Sequence, residues 1–180
     1  MKRTKLLTLL DDYHPQDLQE INAKKQIINF VKENLDCFER TLEIGHVTAS
    51  CWLLNYDRTK ALLMHHKKLN KWVQLGGHCD GNSDVLEVAI KEAQEESGIL
   101  EIEPISNEIF DIDVHLSPAT LKEKEHYHYD IRFLLGVTRN VDFVKNEESN
   151  ELRWISKNIE ELPTKQEAVV RMFKKWVMGV

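Results

Sequence analysis

Apolar positions along the chain change period twice, and the changes predict a helical start followed by a mixed α and β body. Residues 3–11 and 15–35 read as helices. In the second, Leu18, Ile21, Ile28, Val31 and Leu35 recur at three-, four- and seven-residue steps and predict one apolar face. Pro15 stands near its start, where a missing N–H costs little. These helices predict a helical extension over 1–42, packed on a main domain over 43–180. From Gly45 the pattern turns β-rich. Val47–Leu54 is mostly apolar and predicts a buried strand; 55–60 is a polar turn; Ala61–His66 returns, so the pair reads as a hairpin. Lys71–Leu75 predicts a short strand running into Gly76-Gly77.

One helix is sharply bounded, at Val85–Ser97. Asp84 is a natural N-cap, Glu87 three residues later predicts a capping box, and Gly98 fits the residue just past the end. Segments near 101–115 and 126–137, and then Leu152–Ile155, predict strands. Residues 164–178 predict a last amphipathic helix, with Ala168, Val169, Met172, Phe173 and Val177 on its apolar side. Strands and helices mix without regular βαβ alternation, which indicates an α+β fold rather than a doubly wound one.

Composition narrows the function classes. The 180 residues, 42% hydrophobic and 30% charged, suit one globular domain with a modest extension. Lys and Arg number 24 against 30 Asp and Glu, a net charge of −6. That balance argues against gripping nucleic-acid backbone as the main task, although Lys67, Lys68 and Lys71 could line a local basic groove. No apolar run is long enough to span a bilayer. The basic start followed by Leu6–Leu10 resembles a signal peptide, but it ends at Asp11-Asp12 without a small-residue cleavage site, so it reads as an amphipathic helix. Three scattered cysteines, Cys37, Cys51 and Cys79, form neither a disulfide framework nor a zinc-ligand pair, which suits a reducing cytoplasm.

The candidate chemistry sits on the bounded helix. Glu92, Glu95 and Glu96 stand at i, i+3 and i+4 and share one face. They repel one another, and they lie in the C-terminal half, where the helix dipole disfavours negative charge. Such violations of local rules mark functional sites. A hard divalent cation removes the conflict, and oxygen-only ligands point to magnesium or manganese rather than zinc. Leu86, Ala89, Ile90 and Ala93 on the other side could pack on a sheet and hold the carboxylates rigidly. The loop Gly76-Gly77-His78-Cys79-Asp80-Gly81 lets a backbone carbonyl, with Gly76 the candidate, approach a metal and lets a phosphate come close. Three glutamates alone would equally describe a solvated acidic face.

Gly77 through Ile99 resembles the Nudix box, the pattern Gly-x5-Glu-x7-Arg-Glu-U-x-Glu-Glu-x-Gly-U, where U is a bulky aliphatic residue. Aligned without gaps, Gly77, Glu92, Glu95, Glu96, Gly98 and Ile99 match, while Ser83, Lys91 and Ala93 stand where the pattern has Glu, Arg and an aliphatic residue. Asp80 or Asp84 could take over part of the missing glutamate's support. Gly45–Ser50 and Gln74–His78 are similar to an uncharacterised bacterial branch of the family, and the likeness extends over about 45–160. The resemblance implies a Nudix-type α/β/α sandwich with a mixed β-sheet. It also implies magnesium-dependent hydrolysis of a pyrophosphate bond in a nucleoside diphosphate linked to another moiety, with the helix glutamates as metal ligands. A later acidic loop often adds a base or ligand in this superfamily. Glu148, in Asn146–Glu151, is the first choice, with a solvated charged loop as the equal alternative.

On a strand over His126–Phe133, His126, His128, Asp130 and Arg132 share a face, opposite Tyr127, Tyr129, Ile131 and Phe133. Two histidines at i and i+2 could bind a transition metal, but His126, His128 and Arg132 are read first as substrate contacts. His46 and His78 are read as hydrogen-bonding phosphate, against an equal alternative of satisfied structural histidines. Trp72 could stack on a base, although a Trp before a glycine turn is more often core. Two further classes compete with the hydrolase: a catalytically weak or inactive Nudix-fold module that binds a nucleotide or phosphorylated ligand, supported by Ser83, and a plain interaction protein, supported by the helical extension. The expected partner is a small nucleotide-like molecule, with no membrane, and the N-terminal helices could pair two copies in a homodimer.

Overall fold

The computed structural model describes residues 2–119 and 124–179. Two helices, α1 (Thr4–Asp12) and α2 (Leu18–Glu33), precede a mixed eight-stranded sheet. The strands are β1 (Gly45–Leu54), β2 (Lys60–His66), β3 (Lys71–Val73), β4 (Leu75–His78), β5 (Ile102–Pro104), β6 (Asp111–Ser117), β7 (His126–Val137) and β8 (Ser149–Ser156). Helix α3 (Val85–Ser97) follows β4, and α4 (Glu167–Met178) closes the chain. No helix of the described residues is long and apolar enough to cross a membrane.

The expected hairpin is splayed. β1 and β2 pair only at Leu53↔Leu62 and Leu54↔Ala61. Beyond that point β4 takes the same edge of β1, from Thr48↔His78 to Cys51↔Leu75. The segment expected as one strand over Lys71–Leu75 therefore breaks at Gln74: β3 pairs with β2, and β4 crosses to β1. On its other edge β1 runs parallel to β7 along its whole length, Gly45↔Tyr127 through Leu54↔Gly136. The region near 101–115 is likewise two strands, β5 and β6, each antiparallel to β7.

Alternation along β1 separates the two faces of the sheet. Val47, Ala49, Cys51 and Leu53 join a core with Leu6, Leu10, Ile27, Phe30, Val88, Ala89 and Ala93, so α1, α2 and α3 cover that face. Trp52 and Leu54 point the other way, onto Val169, Met172, Phe173 and Trp176 of α4. This is the three-layer α/β/α arrangement. Both amphipathic faces are rotated from their expected positions. In α2, Ala23, Ile27, Phe30 and Val31 are buried, whereas Leu18 and Leu35 are exposed. In α4, Trp176 is buried and Val177 is exposed.

The physical reason is a charged cluster that sequence spacing could not reveal. Glu20 of α2 and Lys175 of α4 are both buried and form an ion pair. Arg171 donates to both oxygens of Asp111 at 2.8 and 2.9 Å, and Lys175 donates to Asp111 at 2.9 Å and to the Tyr13 hydroxyl at 2.9 Å. Orienting these helices to satisfy buried charges takes precedence over burying every apolar residue, because an unpaired buried charge costs far more.

Burial alone would push the Asp111 carboxyl up, but Arg171, Arg132 and Lys175 together hold it at about 2. A carboxyl whose folded pKa lies below its unfolded value adds stability above the unfolded value and loses it as pH falls through the folded one. Acid titration followed by far-UV circular dichroism should therefore show stability falling from about pH 4 through pH 2. A midpoint denaturant concentration unchanged across that window would refute the assignment.

Candidate active site

Helix α3 carries the three glutamates as expected, but in three different environments. Glu96 is 4% exposed and accepts a hydrogen bond from the Gly76 backbone N–H at 2.8 Å. Glu92 is half-buried, with its carboxylate against Gly77. Glu95 is exposed, and Lys91 bridges it and Glu92, at 3.1 and 3.5 Å. Burial pushes the Glu96 carboxyl up to about 8, against the lowering effect of the Gly76 N–H; the negative charges of Glu92, Glu148 and Glu95 add to the rise. Burial likewise raises Glu92.

The helix is positioned from both ends. Asp84 accepts from the Glu87 N–H at 3.4 Å, while the Glu87 carboxylate turns to the Asn82 side chain at 3.1 Å, so only half of the expected capping box forms. Lys5 of α1 pairs with Asp84 at 2.6 Å. At the other end Gly98 has φ 69°, the left-handed conformation that suits glycine. The loop after β7 docks there: the Val144 N–H donates to the Ser97 carbonyl at 2.7 Å, and Asn146 donates to the Glu95 carbonyl at 3.3 Å. This brings exposed Glu148 close enough for its charge to act on Glu92 and Glu96. An open groove of about 580 Å³ beside it is lined by Lys67, Lys145, Asn146, Glu147, Ser149 and Asn150.

Two glycines let β4 approach. A Cβ on Gly76 would overlap the backbone and Cβ of Ser50, and the residue has φ 154°. A Cβ on Gly77 would overlap only the Glu92 carboxylate. Backbone atoms cannot yield, but a carboxylate end can rotate away. Gly77→Ala should therefore keep a melting temperature within about 3 °C of wild type, roughly 1 kcal/mol, while moving Glu92 out of place. Turnover at fixed magnesium should fall at least about tenfold, a loss of about 1.4 kcal/mol in transition-state stabilisation. Wild-type turnover in a normally folded variant would show that Glu92 has no positional role.

On the opposite face of the sheet, the strand alternation expected for 126–132 holds, but Arg132 does not face a cleft. It is 2% exposed and bonded to Asp130 at 2.7 Å and Asp111 at 2.9 Å, with Asp113 at 3.3 Å. Its guanidinium is saturated by carboxylates, which corrects the expectation of a substrate contact. Asp130 also accepts from Thr48, Ser50 and Gln74 at 3.0, 2.8 and 3.2 Å.

His46, His78, His126 and His128 gather at the end of this face, with one ring nitrogen from each lying within 4.8 Å of the others. Burial, with His78 and His126 close by, holds His46 down to about 4. Burial, with His115, His78 and His46 close by, holds His128 down to about 2. The sequence contained one usable signal for this convergence, the matching alternation of His46-x-Thr48-x-Ser50 and His126-x-His128-x-Asp130. Only the parallel pairing of β1 with β7 turns it into a contact. Trp72 is half-buried, with the Arg153 guanidinium 4.6 Å above its ring, so one face of the indole is already taken.

Comparison with known proteins agrees with this geometry. The family model described as NUDIX domain matches residues 45–177. Among solved structures, a NUDIX-family hydrolase from Clostridium perfringens is 24% identical, with a TM-score of 0.57 over 75% of this chain and 98% of that one. A MutT protein from Methanosarcina mazei is 20% identical, with a TM-score of 0.57 over 77% and 96%. A C. elegans Ap4A hydrolase, solved as a binary complex, is 16% identical, with a TM-score of 0.56 over 74% and 98%. Comparison with curated proteins gives no match.

Proposed function

Because the chain belongs to the Nudix family and is a Nudix-type pyrophosphohydrolase, we propose that it cleaves the pyrophosphate bond of a nucleoside diphosphate linked to another moiety, using magnesium held by Glu92, Glu95 and Glu96. The observation that carries this reading is Glu96, a buried carboxylate with a single hydrogen bond from Gly76 and three further acids acting on it. Buried negative charge of this kind calls for a cation, and the oxygen-only donor set fits a hard one. When bound, such an ion neutralises phosphate oxygens and lowers the pKa of a coordinated water.

The chain's own groups supply the rest. The Gly76 N–H fixes Glu96. Lys91 reaches Glu92 and Glu95, a support for the helix in the place where the family pattern has arginine. Glu148, exposed on the docked loop, is the candidate to accept a proton from the attacking water. Lys67 and Lys145 in the adjoining groove can hold phosphate oxygens by charge. The Gly76 carbonyl is a further candidate ligand.

The test is a release assay for phosphate and nucleoside monophosphate over dinucleoside polyphosphates, nucleotide sugars and nucleoside triphosphates. At least one substrate should turn over with magnesium and stop with EDTA. Magnesium-dependent binding of these compounds without turnover of any would instead establish the non-catalytic binding module that Ser83 suggests. Indifference to magnesium in both assays would end both readings.

A further inference from the structure

We propose that His46, His78, His126 and His128 form a second metal site, for one borderline transition-metal ion of the zinc class, separate from the carboxylates of α3. Three strands bring the ligands together: His46 from β1, His78 from β4, and His126 and His128 from β7, with His46 and His128 direct partners in the parallel ladder. Their ligand atoms lie within 4.8 Å of one another. A tetrahedral zinc ion with bonds of about 2.0–2.1 Å needs its nitrogens roughly 3.3 Å apart. The His126 Nε2 and His128 Nε2 atoms stand 2.9 Å apart. Modest ring rotations would close the set.

Two observations say that the cluster is built for an ion. His46 is 1% exposed, and neither of its ring nitrogens has a hydrogen-bond partner among the described residues. A buried polar atom without a partner is costly and calls for one. Secondly, His126 Nδ1 lies 2.7 Å from the Lys124 carbonyl. Only a ring N–H can donate to that oxygen, so Nδ1 carries the proton and Nε2 presents its lone pair to the cluster. Metal-binding histidines are usually oriented by just such an outer bond.

The donor set also selects the ion. The nearby acids are engaged elsewhere: Asp130 by Thr48, Ser50, Gln74 and Arg132, and Asp113 by Arg132 and His115. Four imidazoles suit zinc, nickel or copper and are poor ligands for magnesium, whereas the glutamates on the other face have the opposite preference. His78 and His128 are only partly buried, which leaves a path for entry. Four protein ligands complete a tetrahedron, so the site is of the structural class. An ion here would pin the four-residue strand β4 to two long strands, and β4 carries the Gly76 N–H that holds Glu96.

The experiment titrates the full, EDTA-stripped chain with cobalt alone, in excess magnesium. One cobalt per chain should bind, with the visible absorption of a four-coordinate, nitrogen-ligated ion, and zinc should displace it. The signal should persist in Glu95→Gln and Glu96→Gln. Removing an outer-shell partner of a metal ligand typically weakens binding 10- to 100-fold. His46→Gln, which removes a ligand itself, should weaken binding by about 100-fold or more, and His46→Cys should restore it with a new sulfur charge-transfer band. A six-coordinate spectrum in the wild-type chain would overturn the site, as would loss of the signal in the glutamate variants. Undiminished cobalt binding in His46→Gln would do the same. The wild-type titration decides even if a histidine variant fails to fold.

Discussion

Glu96→Gln should lower turnover of a diphosphate substrate by about two to four orders of magnitude and leave the fold intact. The range is what removal of an essential ionised group at a reacting centre typically costs. Glutamine keeps the shape, and its amide oxygen can still accept the Gly76 N–H bond now made at 2.8 Å. Burial already raises the Glu96 carboxyl to about 8, so a neutral side chain is at least as easy to house there as an ionised one. Stability without metal should therefore hold or rise while activity collapses. The two readouts are the melting temperature and kcat on the best substrate of the panel. A folded Glu96→Gln enzyme with wild-type kcat would remove Glu96 from the catalytic machinery.

The largest loss of stability should follow from Arg132→Met. Removing one partner of a buried ion pair typically costs about 3–5 kcal/mol, because the other charge stays behind. Here the lower end is expected, because Asp111 keeps Arg171 and Lys175 and Asp130 keeps Thr48, Ser50 and Gln74. About 3 kcal/mol corresponds to a melting temperature lower by about 6–12 °C in a chain of this size. A melting temperature within 2 °C of wild type, roughly 1 kcal/mol or less, combined with a raised KM, would return Arg132 to the role of substrate contact.

Local patterns in the sequence were reliable where neighbours along the chain decide the structure. Asp84 and Gly98 bound α3 as their side chain and φ angle demand, and the alternation of His126 to Arg132 on one face holds. The family followed from Gly77, Glu92, Glu95, Glu96, Gly98 and Ile99, which are close in sequence. Long-range pairings were not legible. Nothing near Lys71–Leu75 announces that the chain leaves β2 for β1 at Gln74, yet that crossing sets Gly76 and Gly77 against the glutamates. The apolar faces of α2 and α4 were misplaced because Glu20 and Lys175 look like surface residues until each is seen as the other's partner. Glu92, Glu95 and Glu96 share a helix face, but their spacing could not tell which one the sheet would bury.

The meeting of Glu20 and Lys175 also has a bearing on synthesis. A growing chain exposes α2 early, while the cation that neutralises Glu20 belongs to the final helix. Until that helix emerges from the ribosome, α2 has no stable seat for its acid and Asp111 lacks two of its three cations. The nascent polypeptide must therefore keep its first helices undocked, or only loosely held, until translation is all but finished.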